Sequence, residues 1–364
     1  MSSTYGLSHN QITNLIFNFG EDQHVHVEGY MGSSKSSMLK TLAKMLPNHI
    51  MCYFDCNTKT LGDVSLPSFH KVDDQGYVTF VPNEELGVHL GKPICLLIDE
   101  LPKAEDGVKK AMTRIIQERI AAGIPLHKSS ITWSTGNLDS EGQGDAMPAF
   151  LDNRISIVEM RKSTNIEFIE YGINEGFHPI LLGVVKDNPD WFADPRDVKD
   201  PKDNEAIHHP DSLERRRSFW TNRSGHAASK LLYKQDKLDQ VTFQATLIGT
   251  VGAYCAGHIM AFSKLHGDLP SLESIKKDPH GARVPDSMAA RCMVIHRTCS
   301  NIDPTWVDAW FDYMTRMDKE SQGFFNNTIK ADSYDKKKQA VVMNNKKYRD
   351  WALANNHLAT ADKR

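Results

Sequence analysis

The passage from Val25 to Leu46 constrains this chain more than any other. An alternating apolar approach, Val25 and Val27, runs into Gly29-Tyr30-Met31-Gly32-Ser33-Ser34-Lys35-Ser36-Ser37 and then into a helix-like run from Met38 to Leu46. Gly29, four residues and then Ser34-Lys35-Ser36 is nearly a phosphate-binding loop, whose usual form has glycine immediately before the lysine. Backbone N–H groups of such a turn, with the N-terminus of the following helix, cradle polyphosphate. In that pattern Lys35 reaches the terminal phosphates and the Ser36 hydroxyl ligates magnesium. The departure is Ser34 in the glycine slot. A Cβ there is tolerable where φ is negative, so binding is expected to be ordinary or weakened, with turnover the property at stake.

A short amphipathic helix, Ile12, Leu15 and Ile16 at helical spacing, precedes the first strand. His24 and His26 alternate with Val25 and Val27 and are expected on the strand's wetter face. Ile50 to Phe54 reads as a second, buried strand. Tyr77 to Val81, after Asp73-Asp74-Gln75-Gly76, marks a β-hairpin inserted at 57–82 into an alternating β/α layout. Ile94-Cys95-Leu96-Leu97-Ile98 is apolar on both faces, as a central parallel strand covered by helices requires. It ends in Asp99-Glu100, where open α/β sheets bind their ligands. With a phosphate loop upstream, Asp99 is the candidate to hold magnesium, directly or through water, and Glu100 to polarise an attacking water. A helix carrying Val108, Ala111, Met112, Ile115 and Ile116 follows. Next, Ile131 to Asn137 is a strand ending in Ser134-Thr135-Gly136-Asn137, with Asn137 a neutral amide suited to the γ-phosphate and the water. Met147 to Arg154 leads into a last strand, Ile155 to Val158, and Arg154 falls outside the pocket its own subunit would form.

Composition sets the surroundings. The 364 residues are 24% charged and 40% hydrophobic with a formal net charge of −3, so no global basic field advertises nucleic acid or anionic membrane. The six cysteines have no paired framework and read as reduced thiols, Cys95 as a buried one. The first residues lack a charged segment followed by an apolar core, and no run is long enough to span a bilayer, so a cytoplasmic protein is expected.

In this order, the phosphate loop, the hairpin, Leu96-Leu97-Ile98-Asp99-Glu100-Leu101, Ser134-Thr135-Gly136-Asn137 and Phe150-Leu151-Asp152-Asn153-Arg154 resemble an AAA+ ATPase, more closely its dynein-related, MoxR-like branch in bacteria and phages. Glu118-Arg119 near the end of the helix after the acids fits that branch. Glu170 to Pro179 resembles the segment after its core. Asn222-Arg223-Ser224, then a helix over Ala227 to Leu232, looks like its second sensor on a helical lid. Ile248 to Ala253, Asp268 to Ser271 and Val284-Pro285 resemble its helical tail. The resemblance covers about residues 20–315.

The resemblance implies ATP and Mg2+ as ligands. Gly29, Gly32, Ser33, Ser34, Lys35, Ser36 and Ser37 would form the nucleotide cradle, and Ser36 and Asp99 would hold the metal. Glu100 would be the catalytic acid, Asn137 the first sensor, Arg154 an arginine finger inserted into a neighbour's site, and Arg223 the second sensor in cis. It also implies a homo-oligomeric ring of six, remodelling or assembling a protein client, with a von Willebrand factor A-type domain protein as one candidate. The rivals are a nucleic-acid motor or loader, for which the hairpin supplies only Lys59, His70 and Lys71, and a nucleotide-binding scaffold without turnover. The expected fold is α/β: an AAA+ core over 1–160 with a hairpin insertion, a helical lid over 161–233 and an all-helical domain over 234–364.

Outside these motifs, 186–222 reads as an exposed loop leading to Arg223, and Arg215-Arg216-Arg217 as solvated charge. Small residues over 236–265 suggest one tightly packed, buried helix. Cys292, His296 and Cys299 are expected to pack in a core rather than bind metal. The tail from Lys330 is expected to be peripheral, with Trp351 docking.

Overall fold

The computed structural model describes residues 6–72, 75–138, 153–210, 212, 217–265, 269–331 and 334–355. Residues 73–74, 147–152, 215–216 and Asp268, on which parts of the sequence reading fell, lie outside the described residues. The chain divides into two compact units, Met1–Lys162 and Ser163–Arg364.

The first unit begins with α1 (His9–Phe19), capped by Ser8 and Gln11 in a reciprocal capping box. Then come β1 (Val25–Gly29), a 3-10 turn at Lys35–Ser37, α2 (Met38–Met45), β2 (Ile50–Asp55) and the short α3 (Leu61–Val64). A ribbon of β3 (Ser65–Val72) and β4 (Gln75–Pro82) precedes β5 (Ile94–Asp99) and α4 (Asp106–Glu118). The two-residue strands β6 (Ile120–Ala121) and β7 (Ile124–Pro125), then β8 (Ile131–Asn137) and β9 (Ser156–Met160), complete it. Five strands form one parallel sheet in the order β2-β5-β8-β1-β9.

Helices cover both faces. Ile12 and Ile16 of α1 and Met38 and Leu42 of α2 pack with Val25, Val27, Leu97 and Trp133. On the other face Val108, Met112 and Ile115 of α4 pack with Phe54, Leu96 and Ile98. All six residues of β5 and all seven of β8 are buried, which accounts for their unbroken apolar or small-residue runs. β2 departs from the buried strand expected, because it lies at the sheet's edge and leaves Tyr53 44% exposed.

The histidines also depart from expectation. Helices cover both faces of the sheet, and His24, just before β1, and His26 within it are buried rather than on a wet face. Their hydrogen bonds go to β8: His24 meets the Thr132 and Ser134 hydroxyls at 3.0 and 2.8 Å, and His26 Nδ1 meets Ser134 at 2.7 Å, while His26 Nε2 is buried without a hydrogen-bond partner among the described residues. Burial holds both imidazoles neutral, with pKa values pushed down to about 3.

Among the described residues the β3–β4 ribbon pairs antiparallel with itself alone, and it leaves Leu66, Phe69, Phe80 and Val81 exposed.

The second unit is helical, from Asn165–Asn174 to Lys346–Ala354. One apolar cluster runs through it from Phe168 to Trp351 and draws on both the 161–233 and the 234–364 segments. Two expectations are corrected. The stretch 236–265 is two helices, Gln240–Val251 and Ala253–Leu265, broken at Gly252. Gly252 has φ +84°, and a Cβ there would lie 2.7 Å from the Ser218 carbonyl oxygen. The first of these helices buries only Leu247 and Val251 and exposes Val241. The segment 186–222 is not simply an exposed loop: a short 3-10 turn at Pro189–Phe192 buries Trp191, and Ala206, Ile207 and Trp220 are buried in the same core.

Cys292, His296 and Cys299 are all buried, and among the described residues no metal-competent cluster occurs. The six cysteines are free and buried. Trp351 is buried and its indole N–H donates to Gln322 Oε1 at 2.8 Å. Among the described residues no helix is long and apolar enough to cross a membrane.

Candidate functional site

Three strands of the first unit end side by side and deliver the site. Gly29 closes β1 opposite Asn137 of β8, and Asp99 closes β5 on the other side of β8. All three are carboxyl ends of a parallel sheet. Gly29 is closely approached: a Cβ there would lie 3.2 Å from the Met160 Cβ and carbonyl oxygen and 3.5 Å from Lys35 Cδ.

From Gly29 the backbone turns through Gly32 at φ +73° and Ser34 at φ +71°. The negative φ on which a harmless Ser34 depended is therefore not what occurs. Ser34 sits left-handed, a conformation unfavourable for any residue with a Cβ. Its side chain makes no capping hydrogen bond, whereas its carbonyl accepts from the Ser37 hydroxyl at 2.6 Å.

Lys35 then folds back under the loop. Its ammonium is buried and donates to the Gly29 and Tyr30 carbonyls at 2.6 and 3.0 Å and to Asn137 Oδ1 at 3.0 Å. An ammonium has three protons, and a buried charge needs partners of this kind. The Asn137 amide continues the chain of contacts, its Nδ2 lying 3.3 and 3.4 Å from the two Glu100 carboxylate oxygens. Glu100 is itself left-handed, at φ +53°, and is paired with Lys103 at 2.9 Å.

Asp99 is buried and collects three hydroxyls. Ser36 and Tyr53 each donate to Oδ2 at 2.9 Å, and Thr135 donates to Oδ1. The Thr135 oxygen also accepts from the Glu100 backbone N–H at 3.1 Å. Ser36, Asp99 and these hydroxyls are hard oxygen donors, the chemistry magnesium takes. Among the described residues the Ser33 hydroxyl oxygen is buried without a hydrogen-bond partner, and the Lys35 ammonium lies beneath the same loop. These observations fit a polyphosphate with a divalent cation.

Lys35, Ser36, Asp99, Glu100 and Asn137 thus converge within hydrogen-bond reach. Arg154 does not join them. It precedes β9, whose Ser156 pairs with Val25 at the far end of β1. Four residues of strand, about 13 Å, separate that level from Gly29. Arg154 is exposed and donates to Gln117 Oε1 at 2.7 Å. Arg223 belongs to the second unit, exposed in the first turn of the helix Asn222–Leu232. Sequence reasoning missed Tyr53 and Lys103 as neighbours of the acid pair and gave no role to Thr135. The Thr135 signal lay inside the Ser134-Thr135-Gly136-Asn137 cluster, but Tyr53 needed the strand order.

No protein-family profile matches the chain, and no curated protein does. Solved structures do. A putative ATPase from Cytophaga hutchinsonii ATCC 33406 is 17% identical over 42% of this chain and 45% of its own, with a TM-score of 0.30. An Hsp104 reconstruction with ATPγS and casein is 21% identical over 43% of this chain and 31% of its own, with a TM-score of 0.33. The Thermotoga maritima RuvB Holliday junction branch migration motor is 15% identical over 74% of each chain, with a TM-score of 0.36. This chain spans less than half the length of the first two. At TM-scores of this size, the functional reading rests on the site geometry.

Proposed function

We propose that the first unit binds ATP with magnesium and hydrolyses it, and that the chain is an AAA+ ATPase of MoxR-like type. The observation that carries this reading is the buried Lys35 ammonium at the carboxyl end of the sheet, hydrogen-bonded to Asn137, with the Ser36–Asp99 pair beside it. Gly29, Gly32, Ser33, Ser34, Lys35, Ser36 and Ser37 would cradle the phosphates, and Ser36 and Asp99 would hold the cation. A bound magnesium ion neutralises charge on the phosphates.

The chain's own groups do the rest. Lys35 exchanges one of its present acceptors for a phosphate oxygen, and Asn137 Oδ1 is the acceptor free to turn away because it belongs to a side chain. Asn137 then orients water with Glu100, whose carboxylate its amide already touches. Phosphoryl transfer of this kind is positioning plus charge stabilisation, and an arginine supplied in trans contributes about 10³–10⁵ in rate. The position of Arg154, away from its own site, supports such a role at a neighbour's site within a ring of six. Arg223 would act as the second sensor.

A protein client, of which a von Willebrand factor A-type domain is one candidate, is favoured over nucleic acid by the hairpin. Its exposed surface is apolar at Leu66, Phe69, Phe80 and Val81; nearby, Lys59 is paired with Glu85 at 2.9 Å, and His70 stacks on Tyr77. The test is phosphate release by wild type against Glu100→Gln. Turnover in wild type with loss of at least about 100-fold in the variant supports the enzyme reading. Equal release from both removes it, and binding without release in wild type favours a scaffold.

A further inference from the structure

We propose that Tyr53, a residue of no standing in the sequence motifs, is a positioning residue for the metal-holding carboxylate of Asp99. This rests on the reading of the site as one for ATP with a divalent cation. A carboxylate has about four lone-pair sites, and three on Asp99 already accept hydroxyls. Ser36 and Tyr53 share Oδ2 at 2.9 Å each, while Thr135 holds Oδ1.

Ser36 is the donor that would turn toward a cation. Tyr53 and Thr135 then grip the carboxylate from opposite sides, one from β2 and one from β8, the two neighbours of β5. Tyr53 reaches Asp99 although its own register partner is Leu97, because the phenol spans the distance to the strand's end. The residue directly opposite Asp99 is Asp55, a like charge that cannot donate.

A phenol carries its proton at neutral pH, so the Tyr53 hydroxyl is a donor to Asp99 Oδ2. The ring is 44% exposed at the sheet edge, so the hydroxyl, not core packing, is its distinctive contribution. Donors that orient ligating groups in this way are worth about 10–100-fold in metal affinity.

The experiment measures binding of a non-hydrolysable ATP analogue to the full chain, once with magnesium and once with EDTA, for wild type, Tyr53→Phe and Asp99→Asn. The ratio of the two affinities reports how well the site holds the metal. Tyr53→Phe is expected to bind the analogue normally in EDTA and to lose about tenfold of the magnesium enhancement. Asp99→Asn is expected to lose most of it. A Tyr53→Phe ratio equal to or above wild type, with Asp99→Asn still impaired, overturns the role of Tyr53 and leaves the nucleotide site standing. Equal weakening of Tyr53→Phe in EDTA and in magnesium assigns the residue to general structure and overturns the proposal as well. A wild type that binds the analogue in neither condition overturns the nucleotide reading itself.

Discussion

Replacing Ser34 by glycine should make the protein more stable, against the usual effect of adding a glycine. Ser34 holds φ +71° and ψ +28°. The left-handed conformation costs a residue with a Cβ roughly 1–2 kcal/mol. Glycine removes that cost but gives up about 0.5–1 kcal/mol through the greater freedom of the unfolded chain. Nothing else is forfeited, since the Ser34 side chain caps nothing and the bond from Ser37 goes to the Ser34 carbonyl. The net expectation is a gain of about 0.5–1 kcal/mol, or about 1–4 °C in Tm for a unit of this size. Urea and thermal unfolding of the full chain measure it, with Ser34→Ala as the control. Alanine keeps the Cβ and should gain nothing. A Ser34→Gly variant no more stable than wild type, or an alanine variant as stable as the glycine one, would refute the strain argument.

The finger assignment predicts that Arg154→Ala binds nucleotide as wild type does but does not turn it over, and that mixing with Glu100→Gln subunits restores some activity. No rescue at any mixing ratio counts against an intersubunit site. The buried histidines make stability fall with pH. The folded pKa values of His24 and His26 are about 3, well below the ordinary 6.5, so below about pH 6.5 the unfolded chain takes up protons that the folded chain refuses. Between pH 7 and pH 5.5 the pair should cost about 2.5 kcal/mol. An unchanged urea midpoint over that interval would show that the two rings are not held neutral by the fold.

What the sequence disclosed was local, and what it hid was long-range. The loop Gly29 to Ser36 and the run Ile94 to Glu100 were legible because each places its chemistry within one strand and the turn after it. The sheet order that sets Asn137 against Lys35, 102 residues apart, follows from pairing of β1 with β8, which no local pattern encodes. Tyr53 was invisible for the same reason: it matters only because β2 lies beside β5. His24 and His26 were misjudged because alternation normally marks one polar, wet face, and here a second strand supplies hydroxyls that let that face be buried. The small residues of 236–265 promised a close-packed helix. Open space instead surrounds the Cβ positions of Gly249 and Gly257, and Gly252 serves as a break. Backbone φ at Ser34 depends on the loop's closure and could be stated from sequence only as a condition.

In the proposed site the ammonium of Lys35 anchors the nucleotide. Calorimetric titration of ATP with magnesium into Glu100→Gln, and into the same chain carrying Lys35→Ala, measures it without interference from turnover. One nucleotide bound per chain in the first and a loss of at least about 100-fold in the second is the expected result, since a charge-assisted contact with phosphate is removed from a buried site. Equal affinity in the two chains, or no binding in either, would contradict that role for Lys35.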